Sequence, residues 1–417
     1  MQATLNPAYT LSVSSDRNFL WRVVSLAWLL RLAIVIVYAL TDAIYKLRLS
    51  PDSERYHREG IESMNAMAFG DFAYKPWIDD GWFQFTRLVY HLITPQAFVM
   101  QLINITLGVA LVPLVFGIVR NITNDVFAQR FAALLTAFFP SIVYWSTLML
   151  KDPASTLAIA LIIYGVVELR RRWAAWPLAA IVAGLLVLIG VRTYLFTVLI
   201  IIIPAAFMLF RPNGSAMNLR TLLIPAALGA LPLVFGYGYF ASGEVQNSIY
   251  FDLDYINHVR VAMGDHGTGA LFEHGEVHRW GSSIWGDLRA IALTLFSVFI
   301  PVNPLEANSA RQLIAIPFVL IMAYFVYPLA LGGMEMWRAR RRAWPVILIA
   351  GVVLGVYIGG TTNAGALFRW TTQIMPYFLM AIALVAFRKP RSLLSRFGQR
   401  AVLLFSSPRR VDQYSYL

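Results

Sequence analysis

The chain has 417 residues, 59% apolar and 13% charged, with a mean hydropathy of +0.63. A soluble protein carries about 45–50% apolar and about 25% charged residues, so a soluble globular enzyme and a disordered chain are both excluded. The absence of cysteine excludes a disulfide scaffold and any thiolate chemistry, and the net charge of +12 reads as basic loops of a membrane protein rather than as a nucleic-acid surface.

The apolar residues form runs near 20–40, 97–119, 131–150, 154–169, 176–191, 193–210, 221–240, 312–333, 344–362 and 371–387. Runs of roughly 17–22 residues match the hydrocarbon thickness of a bilayer, and none shows the alternation of a β-barrel strand. The expected fold is all-α: a polytopic transmembrane bundle of about 10–11 membrane segments. A piece at 288–302 is marginal for a crossing and suits a re-entrant segment. With the N-terminus inside, the inner segments 1–19, 120–130, 170–175, 211–220, 334–343 and 388–417 hold 19 of the 34 lysines and arginines. Their acids are Asp16, Asp125, Glu335 and Asp412, with Glu168 at an edge. Both termini are therefore expected on the cytoplasmic side. A transmembrane catalytic domain over 1–387 and a basic cytoplasmic tail over 388–417 follow. The outer face receives two sizeable loops containing short helices, 41–96 and 241–287.

Those outer segments carry the residues capable of chemistry. Asp52 opens the string Asp52, Glu54, Tyr56, His57 shortly after the first span, where a carboxylate can act as a general base. An ordinary solvated loop acid fits the same spacing. Asp79 and Asp80 lie between Trp77 and Trp82, a setting for a sugar ring or for an interfacial helix with belt tryptophans. Lys151 and Asp152 sit at a hinge between two apolar runs, where charges are costly unless used or paired. Arg192 interrupts two further runs, and Arg369 lies at the same expected depth; guanidinium groups bind phosphate oxygens in a bidentate manner. Snorkelling to lipid headgroups is the plainer reading of each arginine alone. Arg22 and Arg31, nearer the inner half, read as snorkelling or interhelical pairing. His258, His266, His274 and His278 do not follow a zinc-protease order. The N-x-S/T matches at Asn104, Asn121 and Asn213 fall in a span or in inner loops and are discounted.

These stretches together resemble the GT-C glycosyltransferases, in the bacterial branch similar to protein O-mannosyltransferases and aminoarabinose transferases. The resemblance rests on Asp52 in PDSERYH, on FPS…WS…LKD ending at Asp152, on Arg192–Tyr194, and on Asn363, Gly365, Arg369 and Pro376. FSVFIPVNPLEANS is similar to a PFPWE segment of the family, departing at Val302 and Leu305. The resemblance implies inverting transfer of a sugar from a polyprenyl-phosphate-linked donor to a glycan, lipid or protein acceptor, on the non-cytoplasmic face of a bacterial inner membrane. It implies Asp52 as the base, Asp152 as the second active-site acid, and Lys151, Arg192 and Arg369 as ligands of the donor phosphate. Glu54, Tyr56, His57, Asp79, Asp80 and Tyr194 would contact substrate. Some family members use a divalent cation (Mg or Mn), and the matched positions do not decide whether this chain does.

Two other readings stand beside it. A polysaccharide polymerase or ligase using undecaprenyl-pyrophosphate glycans would depend on Arg192 and a loop histidine. A lipid or solute transporter would want mid-membrane charges and internal repeats, which the sequence lacks.

Overall fold

The computed structural model describes residues 7–42, 50–68, 81–209, 257–258, 260–261, 279–301, 310–361, 364–386 and 393–406. Among them are fifteen α-helices and no strand. In chain order these are α1 (Pro7–Thr41), α2 (Pro51–Ala68), α3 (Gly81–Leu92), α4 (Ala97–Ile122), α5 (Val126–Phe138), α6 (Pro140–Ser146), α7 (Asp152–Arg171) and α8 (Ala175–Val191). They continue with α9 (Thr193–Met208), α10 (Ile284–Phe299), α11 (Ala310–Arg338), α12 (Arg340–Gly360), α13 (Ala364–Thr371), α14 (Met375–Ala386) and α15 (Leu393–Phe405). Five helices are long and apolar enough to cross a membrane, and six if α5 and α6 are one bent span. Helices α8, α9 and α14 are apolar but shorter. The run at 221–240 lies outside the described residues, as do Asp79, Asp80, His266, His274, His278 and Asn363.

Local sequence explains the helix ends. Helix α7 begins at Asp152 with Pro153 in its first turn and ends on Arg170 and Arg171. Acid at the N-terminus and base at the C-terminus both complement the helix dipole, and proline is tolerated where no amide donor is needed. Helix α5 is capped by Asp125, whose carboxylate accepts from the amides of Phe127 at 2.9 Å and Ala128 at 3.2 Å. The run read from sequence as one span, 131–150, is in fact broken. Phe139 is extended, Pro140 follows it, and α5 and α6 meet at 47°. A proline disfavours the helical region for the residue before it, which is the physical reason for the break.

Helix α7 is the centre of the bundle: 83% of its apolar window is buried, against 22% for the peripheral α1. It packs closely on α8, where a Cβ placed on Gly184 would come within 2.6 Å of the Ala158 carbonyl oxygen. Helices α11 and α14 approach as tightly, since a Cβ on Gly332 would overlap the Ala381 carbonyl oxygen. Small residues that admit close backbone approach are the usual solution inside a membrane, where the hydrophobic effect does not drive helix association. Arg31 is fully buried and resolves as an interhelical pair: it donates to Ser146 Oγ at 2.8 Å and to the carbonyls of Ala27 and Ala137 at 3.0 and 2.8 Å. Part of the segment expected as a basic cytoplasmic tail forms α15, which buries Leu394 and Val402 and sets the Phe405 ring against Phe19 and Phe138.

Polar contacts sort into two ends. At one end Arg130 pairs with Asp16 at 2.7 Å and reaches Ser406 at 2.9 Å, Arg171 reaches Asn121 at 3.2 Å, and Arg170 reaches the Arg341 carbonyl at 3.0 Å. The other end, about 30 Å away along the twenty residues of α7, holds Asp152 and the groups around it.

Candidate active site

Asp152 occupies the first turn of the central helix and is 1% exposed. Its Oδ1 accepts from Arg192 Nη2 at 2.6 Å and from Gln373 Nε2 at 3.2 Å, and its Oδ2 from Arg369 Nε at 2.5 Å. A buried carboxylate is costly without such partners, and here it is held by two guanidiniums and an amide. Arg369 extends the chain of charge outward, because its Nη1 donates to Asp52 Oδ2. One guanidinium therefore bridges two carboxylates 317 and 217 residues distant in sequence. Burial alone would lower the pKa of Arg369, but Asp152 and Asp52 outweigh it and hold the group above the ordinary arginine value. The Asp52 side chain remains 56% exposed, so it is open to an incoming molecule.

Arg192 lies where α8 ends and α9 begins, with its backbone outside the helical region at φ −152°. It is buried, and Trp370, Tyr194 and Tyr357 surround its guanidinium at 5.6, 5.8 and 5.9 Å from their ring centres. Its Nη1 donates to the Tyr194 hydroxyl. Arg192, nominated from sequence as a phosphate ligand, sits in an aromatic enclosure with Asp152 as its carboxylate partner. Lys151 is half-buried beside Asp152, and its charge acts on that carboxylate.

Helix α2 delivers Asp52 at its first turn, together with Glu54. Tyr56 is buried on Phe83 with ring centres 4.7 Å apart, and lies near enough to Arg369 to act on its charge. His57 Nδ1 lies 2.7 Å from the Tyr90 hydroxyl, and burial lowers the imidazole's pKa below 6.5. Glu54 Oε1 is buried and makes no hydrogen bond among the described residues.

Several positioning residues escape a sequence search. Asn104 donates to the carbonyls of Leu148 and Leu150 at 2.6 and 2.8 Å, Gln101 donates to the Thr147 carbonyl at 3.0 Å, and Ser53 Oγ accepts from the Met149 amide at 3.1 Å. Together they fix the turn that presents Lys151 and Asp152. Gln373 does the same for Asp152 itself, and the Tyr357 hydroxyl donates to Gln373 Oε1, which sets that amide's orientation. The available signal was a neutral amide inside an apolar run, at 101, 104 and 373.

Among the described residues no three His, Asp or Glu side chains cluster as metal ligands. Asp52 and Asp152 are both engaged by Arg369, a donor set that does not fit a divalent cation, which would compete with the guanidinium for the same oxygens.

No curated protein and no solved structure matches the chain. The family model for dolichyl-phosphate-mannose-protein mannosyltransferase matches residues 81–239, a stretch that includes Lys151, Asp152, Arg192 and Tyr194, while Asp52 and Arg369 lie outside it. Residues 81–239 are thus similar to a family of GT-C-type membrane glycosyltransferases, and they lie in an all-α polytopic helical bundle.

Proposed function

We propose that this chain transfers a sugar from a polyprenyl-phosphate-linked donor to a glycan, lipid or protein acceptor at the non-cytoplasmic face, with inversion at the anomeric carbon. The observation that carries the reading is the Asp52–Arg369–Asp152 chain, assembled at the end of the bundle opposite the arginine-rich one. A lipid donor keeps its phosphate at headgroup depth, so a base and cations converging at one rim suit that substrate.

In this reading the donor phosphate takes up hydrogen bonds from Arg369 and the charge of Lys151. Arg369 has two carboxylate partners, and the exposed one, Asp52, is the one a phosphate can displace. Donor binding then frees Asp52 to take the proton of the acceptor hydroxyl as that oxygen attacks the anomeric carbon. The bond from the anomeric carbon to the phosphate oxygen breaks, and polyprenyl phosphate leaves with its charge facing Arg369 and Lys151. Cations fixed where charge develops stabilise the transition state more than the ground state. Asp152 keeps Arg369 in place throughout, and Arg192 keeps Asp152 in place. No step is routed through a metal ion. The ligase alternative asks for an outer arginine that reaches a pyrophosphate, and the enclosure of Arg192 argues against that role.

The test is to purify the protein, identify co-purifying polyprenyl lipids by mass spectrometry, and assay transfer from a polyprenyl-phosphate sugar. Transfer that disappears in Asp52→Asn supports the reading; full transfer by that variant overturns it.

A further inference from the structure

A cavity of about 670 Å³ opens between α1, α4 and α7 at the end of the bundle remote from Asp152. Its rim carries four arginines, Arg17, Arg120, Arg171 and Arg172. Two acids also line it, but both are already neutralised: Asp16 by Arg130 at 2.7 Å, and Glu168 by Arg172 at 2.5 Å with Asn121 at 3.0 Å. Among the described ion pairs, Arg17, Arg120 and Arg171 have no carboxylate partner, so the rim keeps a positive excess. The deeper wall is apolar, built from Leu20, Val24, Pro113 and Phe116. Along α1 the distance from Arg17 to Val24 is about 10 Å at 1.5 Å per residue, so cationic rim and apolar wall follow one another in depth. The flank is α1, the peripheral helix, whose Trp21 is 61% exposed.

A charged rim above an apolar wall, open to the side, matches a molecule with an anionic head and hydrocarbon chains. We infer that this cavity binds an anionic phospholipid, its phosphate between the rim arginines and its acyl chains along Leu20, Val24 and Phe116. Basic pockets between transmembrane helices on the cytoplasmic side, where the leaflet is rich in anionic lipid, are a recognised setting for such headgroups. A free phosphate would leave the apolar wall without a partner, which is the reason to choose the lipid. The inference is independent of the glycosyl-transfer reading, since the two sites lie at opposite ends of α7.

The test is native mass spectrometry of the full chain in detergent, after delipidation, with phosphatidylglycerol or phosphatidylcholine added back. Phosphatidylglycerol is expected to be retained and phosphatidylcholine not. Arg17→Gln with Arg120→Gln should weaken retention roughly thirtyfold. Arg396→Gln with Arg400→Gln, which removes equal charge from the exposed face of α15, should leave retention unchanged. Val24→Trp fills the apolar wall without touching a charge and should also abolish retention, so a rim variant that fails to fold does not protect the inference. Equal retention of the two lipids, equal loss in the α15 variant, unchanged binding in Val24→Trp, or displacement by equimolar glycerol 3-phosphate would each overturn it.

Discussion

Asp152 and Asp52 share a partner but live in different environments, and that difference predicts different phenotypes. Asp152 is buried between Arg192 and Arg369, with side chains 1%, 3% and 11% exposed. Removing its charge strands the buried Arg192 and leaves Arg369 only the half-exposed Asp52, which costs about 3–5 kcal/mol. Asp152→Asn is therefore expected to lower the melting temperature in detergent markedly, and a loss of transfer in that variant reports folding as much as chemistry. Asp52 is half-exposed, and pairs of that kind contribute about 0–1 kcal/mol. Asp52→Asn should melt within a few degrees of the parent while losing transfer, and a large fall in melting temperature would contradict this account. His57 supplies a pH dependence. Its folded pKa lies below the ordinary 6.5 because burial disfavours the cation, so the unfolded chain binds more protons between the two values. Stability is then full above pH 6.5 and falls as pH drops below it. His57→Gln should flatten that part of the melting profile, and an unchanged slope would remove His57 as its source. At this scale the charged members of the candidate site were legible, because a charge inside or beside an apolar run stands out. The amides Gln101, Asn104 and Gln373 were not, since a neutral polar residue in a span does not announce which carbonyls it serves.

The element that decides the site's shape is the broken segment from α5 to α7. Pro140 ends α5, and the turn after α6 is held by Asn104, Gln101 and Ser53 rather than by its own hydrogen bonds alone. Replacing Asn104 with leucine leaves the Leu148 and Leu150 carbonyls without that donor, at about 1–3 kcal/mol for each buried group. The expected result is a protein that inserts in the membrane but shows raised KM for the donor along with lower stability; unaltered kinetics would mean the turn holds itself. Close helix packing gives a second test. Gly332 faces the Ala381 backbone without space for a side chain, so Gly332→Val should destabilise the α11–α14 pair by about 1–3 kcal/mol. A melting curve identical to the parent's would show that the helices can move apart freely. The spans themselves were legible as apolar runs, whereas the 47° break was read through, because hydropathy is blind to backbone direction and only the Phe139–Pro140 step marks it.

Across the whole molecule, charge is separated between the ends of the bundle. One end gathers Arg130, Arg170, Arg171 and the chain near Arg341 and Ser406; the other gathers Asp52, Asp152 and Arg369. Because the chain has no cysteine, its orientation can be read with single introduced thiols. Glu62→Cys on α2 should react with a membrane-impermeant maleimide in intact cells, and Arg340→Cys only after permeabilisation. The opposite pattern would invert the topology and move the site to the cytoplasmic face.

Length and spacing of apolar runs were enough to require a helical membrane protein, since a bilayer accepts few other ways of satisfying a backbone. The asymmetry of arginine and lysine gives an expected sidedness for its loops, and isolated charges at run boundaries were enough to nominate Asp52, Asp152, Arg192 and Arg369. What only the tertiary structure decided is who faces whom. From sequence alone Arg192 has no identifiable partner, and packing beside Trp370, Tyr194 and Tyr357 brings its guanidinium to Asp152. Partners hundreds of residues apart are chosen by how helices cross, a property of the assembled bundle that no local pattern encodes.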